Sequence, residues 1–272
     1  MGRPDILQAP MLRIEPVPAF SDNYIWLLHS GSNDALLVDP GDAAPARDAL
    51  AARGLRLSGI LLTHHHPDHT GGVQALREAF PGITVHGPRG SPAAACITQS
   101  LADGDTVSVL GREARVLGIP GHTLDHIAYH LPATPTEAGI LFCGDTLFAG
   151  GCGRVFEGDP PMMHASLSRL AALPAQTRVF CAHEYTLSNL RFARAVEPGN
   201  AELAAREARD IACRKRGEPT VPSTIGLELA TNPFLRCAKA AVRSAARNRA
   251  ARELPDAAAV FAEVRAWKDV FR

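Results

Sequence analysis

The chain has 272 residues, of which 46% are hydrophobic and 21% charged, the composition of a soluble globular protein that can bury a core without disulfides. Lys+Arg and Asp+Glu both number 28, so the formal net charge is zero, which argues against a protein that binds nucleic acid through its phosphates. No run of about eighteen apolar residues predicts a membrane-spanning helix, and the six cysteines form no C-x-x-C pair. We therefore expect a cytoplasmic protein with unpaired thiols and no nucleic-acid or membrane partner.

The two ends of the chain differ in character. Residues 1–10 lack the apolar segment of a secretory signal, and we expect them to form a disordered leader before an alternative start at Met11. Residues 184–272 carry five more basic than acidic side chains, and residues 1–183 carry an equal acidic excess. Such asymmetry hints at two domains with different tasks, although a solvated surface also produces it.

The first two-thirds of the chain reads as short apolar runs ended by Gly, Pro or Asp, a pattern typical of strands. These runs are Tyr24–Leu28, Ala35–Val38, Gly59–Thr63, Ile83–Val85, Thr106–Leu110, Ala114–Leu117, Ile127–Leu131, Gly139–Cys143 and Arg178–Ala182. Helical patterns occur between them at Ala43–Arg53, Gly72–Ala79 and Met162–Ala172. Because most runs are apolar throughout, we predict strands buried on both faces, in two sheets stacked between helices.

Beyond residue 183 the pattern becomes helical, at Ser188–Val196, Ala201–Arg216 and Ala257–Phe271. Asn200 and Asp256 are suitable N-caps for the second and third of these helices. The second helix is predicted to pair Glu202 with Arg206 and to bury an apolar stripe. The stripe consists of Leu203, Ala204, Ala208, Ile211 and Ala212. We place a boundary here, between a metal-binding domain at 11–183 and an α-helical domain at 184–272.

The residues that carry chemistry begin in one window, Thr63-His64-His65-His66-Pro67-Asp68-His69, directly after the apolar run at Gly59. Imidazoles and a carboxylate on a loop held by a buried strand are ligands for a divalent ion such as zinc. A surface histidine cluster or a tag-like run is the other interpretation. A tag would not lie in mid-chain after a buried strand with an aspartate interleaved, which favours the metal site.

Three further segments each place one possible metal ligand just after an apolar run. They are Gly121-His122-Thr123, Gly144-Asp145-Thr146 and Ala182-His183-Glu184. A lone histidine is usually a core or surface residue, but three such positions at strand ends support the metal-site interpretation.

These motifs together resemble those of the metallo-β-lactamase-fold hydrolases, and within them the glyoxalase II family of hydroxyacylglutathione hydrolases. The similar segments are Phe20-Ser-Asp-Asn-Tyr, Thr63-His-His-His-x-Asp-His-Thr-Gly-Gly, Pro120-Gly-His-Thr, Gly144-Asp-Thr-Leu-Phe, Gly151-Cys-Gly-Arg, His183-Glu-Tyr-Thr, Val196-Glu-Pro-Gly-Asn and Asn232-Pro-Phe-Leu-Arg. The metal motif marks only the superfamily, whereas the last four segments indicate this family. The resemblance implies an α+β fold, the αββα sandwich, with a smaller C-terminal helical domain.

The resemblance also implies two divalent metal ions, with zinc expected and iron or manganese acceptable to the same ligands. His64, His66 and His122 would hold the first ion. Asp68, His69 and His183 would hold the second, and Asp145 would bridge both together with a hydroxide. Asp39 is expected to anchor the histidine loop, and His65 to lie outside the ligand set. His126 and His130 are interpreted as structural, and Cys152 as a packing residue.

The activity implied is hydrolysis of S-(2-hydroxyacyl)glutathione, chiefly S-D-lactoylglutathione, in the second step of methylglyoxal detoxification. Asp68 and Asp145 are the expected catalytic residues, because they hold the metals and the attacking hydroxide. The substrate-binding residues implied are Arg154, Phe156, Tyr185, Arg265 and Lys268. Arg265 and Lys268, three apart on the final helix, are expected to share one exposed face at the rim of the cleft. Arg154 replaces a lysine of the eukaryotic enzymes and keeps the charge, whereas Phe156 replaces a tyrosine and removes a hydroxyl. The expected partner is the small-molecule thioester alone, bound by a monomer.

Three other functions remain as alternatives. A glutathione persulfide dioxygenase would use one iron on the same fold, but the retention of His69 and His183 argues for two metals. A phosphodiesterase acting on RNA is disfavoured by the neutral net charge. A non-catalytic metal-binding or scaffold protein would be expected to lack a ligand, and all seven are present.

Overall fold

The structure is a computed structural model that describes residues 11–271, so the expected leader at residues 1–10 lies outside the described residues. The strands in this range are β1 (Arg13–Ala19), β2 (Asn23–His29), β3 (Asp34–Val38), β4 (Arg56–Leu61), β5 (Thr84–Pro88), β6 (Gln99–Leu101), β7 (Thr106–Val109), β8 (Arg112–Gly118), β9 (Ile127–Leu131), β10 (Ile140–Gly144), β11 (Leu147–Phe148), β12 (Gly151–Cys152), β13 (Arg178–Cys181) and β14 (Ser223–Thr224). The helices in it are α1 (Ala43–Ala52), α2 (Pro67–Thr70), α3 (Val73–Ala79), α4 (Pro160–Ala171), α5 (Thr186–Val196), α6 (Ala201–Lys215), α7 (Ile225–Thr231), α8 (Ala240–Ala250) and α9 (Ala257–Val270).

The strands form two six-stranded mixed sheets and a small hairpin of β11 and β12. The first sheet has the order β1-β2-β3-β4-β5-β6, antiparallel up to β3 and parallel from there on. The second has the order β14-β13-β10-β9-β8-β7, in which only β10 and β13 run parallel. All nine apolar runs identified in the sequence are strands. The strand β1 and the short strands β6, β11, β12 and β14 were not predicted.

Burial explains the pattern of the strands. The central strand β10 is buried at every position, as expected for a strand covered on both faces. The edge strand β7 alternates instead, with Val107 and Val109 buried and Thr106 and Ser108 exposed. Continuous apolar runs therefore mark the centre of the sheets, and alternation marks their edge.

Two large hydrophobic cores lie between the layers and hold them together. The larger core includes Trp26 of the first sheet and Tyr129, Phe142 and Phe180 of the second. The smaller core packs strands of the first sheet, such as β4 with Ile60, against helices α1 and α3. Helices thus cover the outer faces of two stacked sheets, which confirms the predicted α+β sandwich.

The helical part beyond residue 184 is not separate from the sheets. Its β14 extends the second sheet beside β13, so the expectation that strands end before residue 184 was wrong at this point. Buried Glu228 of α7 accepts a hydrogen bond from the backbone N–H of Gly150 at 2.8 Å. Asn232 donates to the carbonyl of Gly151 at 2.9 Å. Two buried side chains therefore fix the segment that follows Asp145.

Helix α6 buries a different face from the predicted one. The residues of α6 that are buried are Leu203, Arg206 and Asp210, whereas Ala208, Ile211 and Ala212 are exposed. Arg206 donates to Glu228 at 2.7 Å and lies 3.4 Å from Asp210, not paired with Glu202. The alanine stripe was therefore a wrong prediction, because a buried ionic network sets the orientation of the helix.

The fold brings the ends of four strands to one edge of the sandwich. The segments that follow β4, β8, β10 and β13 contain the ligand residues picked out in the sequence. A backbone hydrogen bond of 2.9 Å from Ile127 to the carbonyl of Thr63 ties the two sheets together at this edge. None of the helices in the described range is long and apolar enough to cross a membrane.

Candidate metal centre

The histidine loop is anchored by Asp39, as expected. Asp39 accepts hydrogen bonds from the backbone N–H and the hydroxyl of Thr63, at 2.8 and 2.7 Å. Its Oδ2 lies 3.2 Å from Nδ1 of His69. Asp39 adopts a φ of 51°, a left-handed conformation uncommon for a residue with a side chain. This local geometry holds both ends of the loop against β3.

The first cluster consists of His64, His66 and His122, whose imidazole nitrogens converge on one point. Nδ1 of His66 lies 3.1 Å from Nε2 of His64 and 3.1 Å from Nε2 of His122. Tetrahedral ligands at zinc–nitrogen distances of about 2.0–2.1 Å lie about 3.3 Å apart. The spacing therefore fits a single ion held by all three histidines.

The second cluster consists of Asp68, His69 and His183. Nε2 of His69 and Nε2 of His183 each lie 3.5 Å from Oδ2 of Asp68. Asp145 lies between the two clusters, with Oδ2 3.5 Å from Nε2 of His122 and 3.3 Å from Nε2 of His183. Its Oδ1 lies 3.5 Å from Nε2 of His69. The seven residues thus form two adjacent groups that share one carboxylate.

Buried polar atoms without a hydrogen-bond partner indicate whether these residues fit a cation. Among the described residues, Nε2 of His69 and Oδ1 of Asp145 are buried and have no hydrogen-bond partner. A buried polar group left without a partner costs about 1–3 kcal/mol. A cation between the two atoms would satisfy both, and the imidazole and carboxylate donors suit Zn²⁺, Fe²⁺ or Mn²⁺. The residues present therefore fit a pair of divalent ions.

The two clusters differ in electrostatics. Burial lowers the pKa of each histidine in the first cluster below the usual 6.5, so these imidazoles are neutral and ready to bind a metal. Burial also opposes the charge of His69 and His183, but Asp145 outweighs it and raises the pKa of both. The same two histidines outweigh burial and hold the pKa of Asp145 well below its usual range. In the second cluster the carboxylates therefore hold protons on His69 and His183, and a metal ion that binds there would have to displace them.

Asp145 is oriented by His126, a residue predicted from the sequence to be structural. Nε2 of His126 accepts a hydrogen bond of 3.1 Å from the backbone N–H of Asp145, and Nδ1 faces the carbonyl of Ile127. Burial lowers the pKa of His126 to about 3, so the ring stays neutral and can accept. Gly144 has a φ of 46°, and a Cβ there would lie 2.3 Å from the hydroxyl of Thr63. Only glycine therefore allows the turn that presents Asp145.

Two residues of the Phe20-Ser-Asp-Asn-Tyr motif orient ligands of the second cluster. Oδ1 of Asp22 lies 2.8 Å from Nδ1 of His183, which directs Nε2 towards the cluster. Asn23 donates to Oδ2 of Asp68 at 3.1 Å. Ligand histidines usually donate their other ring N–H to such a partner. The motif pointed to this segment, but no sequence signal gave it this role.

His122 and His65 are fixed by partners from other segments. Nδ1 of His122 lies 2.8 Å from the carbonyl of Arg154. His65 lies outside both clusters, as expected, with Nδ1 2.9 Å from Asp125 and Nε2 3.3 Å from Glu157. His65 thereby connects the histidine loop to the segments that carry His122 and Arg154.

A cleft of about 520 Å³ adjoins the clusters, with His122 and Asp145 at one end and the last turns of α9 at the other. Arg154, Phe156, Tyr185, Arg265 and Lys268 all line it. Tyr185 stacks on His183 with ring centroids 4.7 Å apart. Phe156 is 61% exposed and packs edge-on against His66 and His122, at 5.8 and 5.2 Å. The structure thus brings the five predicted substrate residues to one surface.

Arg265 and Lys268 both line the cleft, but the expectation that Arg265 is exposed at its rim was wrong. Arg265 is 6% exposed and lies over the ring of Phe234. It donates to the carbonyl of Cys152 and to Oδ1 of Asp269, both at 3.0 Å. Lys268 is half-buried and donates to the carbonyl and hydroxyl of Ser188, at 3.2 Å. Arg265 therefore reaches under the cleft, while Lys268 reaches across it.

The chain is similar to known proteins along most of its length. The family model "Hydroxyacylglutathione hydrolase C-terminus" matches residues 184–271, and "Metallo-beta-lactamase superfamily" matches residues 19–95 and 100–183. The hydroxyacylglutathione hydrolase of Cupriavidus metallidurans is 52% identical over 270 residues, 96% of this chain and 100% of that protein. That of Pseudomonas aeruginosa PAO1 is 54% identical over 263 residues, with the same coverage. The solved structure of TTHA1623 in a di-iron-bound form is 28% identical with a TM-score of 0.57, covering 81% of this chain and 100% of that one.

Proposed function

The chain belongs to the hydroxyacylglutathione hydrolases of the metallo-beta-lactamase superfamily, and we propose from its site that it hydrolyses S-(2-hydroxyacyl)glutathione. The main substrate is S-D-lactoylglutathione, and the products are glutathione and D-lactate. The observation that carries the proposal is the position of Asp145, which lies between the two ligand clusters beside a cationic cleft.

The seven ligands would hold two divalent ions, zinc first, with iron or manganese as substitutes. When bound, such ions would lower the pKa of coordinated water from 15.7 to about 7 and would polarise a carbonyl oxygen. His126 and Asp22 hold Asp145 and His183 in the orientation that this chemistry needs. The di-iron-bound TTHA1623 supports a two-metal site on this fold.

The chain's own residues place the thioester. Arg154 and Lys268 supply positive charge for the carboxylates of glutathione. Burial raises the pKa of Tyr185, so its phenol stays protonated and can donate a hydrogen bond. The leaving group is a thiol with a pKa of about 8.5, which departs as thiolate without a general acid. Cys152 is not needed as a nucleophile, because burial raises the pKa of its thiol to about 11.

The state of the cysteines indicates the compartment in which the protein acts. The six cysteines are all free, which supports a reducing compartment such as the cytoplasm. We place the protein there as a monomer that acts in the second step of methylglyoxal detoxification.

The decisive experiment measures hydrolysis of S-D-lactoylglutathione by metal-replete protein, with elemental analysis of the same sample. Close to two metal equivalents per chain and turnover that falls more than about 100-fold in Asp145→Asn are expected. One equivalent with full activity would contradict the two-metal site. Oxygen consumption with glutathione persulfide, in place of thioester hydrolysis, would favour the dioxygenase alternative.

A further inference from the structure

A third cluster of titratable side chains, His65, Asp125 and Glu157, lies beside the two metal clusters. Nδ1 of His65 lies 2.9 Å from Oδ1 of Asp125, and its Nε2 lies 3.3 Å from Oε1 of Glu157. Both ring nitrogens of His65 therefore already face a carboxylate, so the third cluster is closed by its own contacts rather than open to an ion. Its role must differ from that of the two metal clusters.

Asp125 is the centre of the third cluster. Its side chain is 6% exposed, and it accepts hydrogen bonds from the hydroxyls of Thr123 and Ser91, at 2.7 and 2.6 Å. Burial alone would raise the pKa of Asp125, but these hydrogen bonds and the contact with His65 outweigh it and lower that pKa, so the carboxylate is ionised. One buried carboxylate thus joins the loops that follow β4, β5 and β8, which carry His65, Ser91 and Thr123.

The ligands of the first cluster differ in how their rings are held. Nδ1 of His64 lies 3.1 Å from the hydroxyl of Thr63, and Nδ1 of His122 lies 2.8 Å from the carbonyl of Arg154. For His66, the hydrogen bonds of residues 11–271 include contacts of Nδ1 within the cluster but none of Nε2. The direction of the His66 ring therefore depends on the position of its backbone.

We propose that Asp125 is a positioning residue for the metal of the first cluster. It fixes the backbone of His66 by holding the adjacent residue, His65. It fixes the backbone of His122 by holding the next residue, Thr123. The distance of 3.1 Å between Nδ1 of His66 and Nε2 of His122, which spans the two loops, is the geometry that Asp125 sets. The proposal rests on the proposed function, because it concerns one metal of the same site.

The test measures the affinity of each metal equivalent in Asp125→Ala and in His65→Ala, which breaks the same contact from the other side. Chelator competition with elemental analysis gives the affinities, and near-ultraviolet circular dichroism shows whether each variant is folded. Loss of a residue that holds a metal ligand in place costs about 10–100-fold in affinity, so one equivalent should bind about 10-fold more weakly. The other should change by less than about threefold. The effects of the two substitutions should be less than additive, because they remove a shared contact.

The substitution His66→Ala identifies the ion that is affected. It removes a ligand of the first cluster, so the equivalent that remains belongs to the second cluster. Adding Asp125→Ala to this variant should not weaken the remaining equivalent further, because the hydrogen bonds of Asp125 reach no ligand of the second cluster in the described part of the chain.

Two further variants separate positioning from general stability. Asp125→Asn should keep most of the affinity, because the amide oxygen can accept the same hydrogen bonds and the amide N–H can donate to Ser91. Glu137→Gln alters another mostly buried ion pair, with Arg112, at the opposite end of β10 from Asp145. This control should change neither affinity.

Each other outcome contradicts the proposal. If Asp125→Ala weakens both equivalents alike, Asp125 only stabilises the fold and the proposal is overturned. If Asp125→Ala weakens neither equivalent, or weakens the one that remains in His66→Ala, the proposal is likewise overturned. If the parent protein binds fewer than two divalent ions, the two-metal site of the proposed function fails and the proposal fails with it, a result distinct from the others.

Discussion

Orientation of single side chains governs the candidate metal centre. Asp145, His183 and His122 each receive a hydrogen bond or charge partner from a segment remote in sequence: His126, Asp22 and the carbonyl of Arg154. Such partners fix the tautomer and the direction of a ligand, and their loss usually weakens metal binding by about 10–100-fold. Substituting such a partner therefore perturbs a metal-ligand residue while the ligand itself stays in place.

Asp22→Asn tests this at the second cluster. We expect the metal bound by His183 to become weaker by about 10–100-fold, because Nδ1 loses its charged acceptor while the ligand set stays complete. Chelator competition followed by elemental analysis measures the change. Asp34→Asn, which removes only an exposed ion pair with Arg56, is the control and should have no effect. Equal metal affinity in both variants would contradict the orienting role.

The lowered pKa of Lys268 predicts that substrate binding depends on pH. Burial, with Arg265, Arg191 and Arg154 nearby, lowers the pKa of Lys268 to about 8. The ammonium is therefore present below pH 8 and is lost as the pH rises through 8, so KM for the anionic thioester should rise several-fold between pH 7 and 9. Lys268→Arg keeps its charge in this range and should flatten the profile. Steady-state kinetics give both profiles, and identical rises in KM would exclude Lys268 as the titrating group.

At the level of elements, the strands were easier to predict than the helices. Apolar runs such as the one that became β10 are short and continuous, which is typical of strands buried on both faces. The prediction placed the wrong face of α6 towards the core, because the sequence of the helix contains an alanine-rich face. The structure instead buries Arg206 among partners from α6 and α7. Partners from other elements cannot be found from the periodicity of one helix. For the same reason, the motif predicted the ligand residues but not Asp22 as the support of His183.

Arg206→Met tests the ionic network of α6. The substitution leaves Asp210 and Glu228 buried without their cation, which should destabilise the fold by about 3–5 kcal/mol. Urea unfolding followed by circular dichroism measures the free energy of unfolding. Glu202→Gln, which removes the predicted but absent partner of Arg206, should change stability by less than about 0.5 kcal/mol. A larger loss in Glu202→Gln than in Arg206→Met would refute the observed orientation of the helix.

At the scale of the whole molecule, the metal ligands come from both sheets and the loops between them. The two clusters join segments from His64 to His183, so ions bound there would link the layers of the sandwich. A ligand that binds only the folded state stabilises it by about 2.7 kcal/mol at a concentration 100 times its Kd.

Metal removal should therefore lower thermal stability. For a chain of this size we expect Tm to fall by roughly 5–10 °C for each site emptied by a chelator, and to recover when zinc is added. Differential scanning calorimetry, with metal analysis of each sample, measures the change. Asp145→Asn is the matched control and should show a smaller chelator-dependent shift. An unchanged Tm after verified metal loss would show that the ions do not link the layers.

The contacts of Glu228 and Asn232 with Gly150 and Gly151 constrain how such proteins can be recombined. A chimera that joins residues 1–183 of one relative to the remainder of another exchanges one side of these buried hydrogen bonds. Viable exchanges must therefore preserve Glu228 and Asn232 together with the Gly150-Gly151 turn, whatever else differs. Substrate range is then best altered at the cleft-lining positions of α9, since the buried Arg206–Glu228 network lies outside this helix, while its buried Val260, Phe261 and Val264 must be kept for the core.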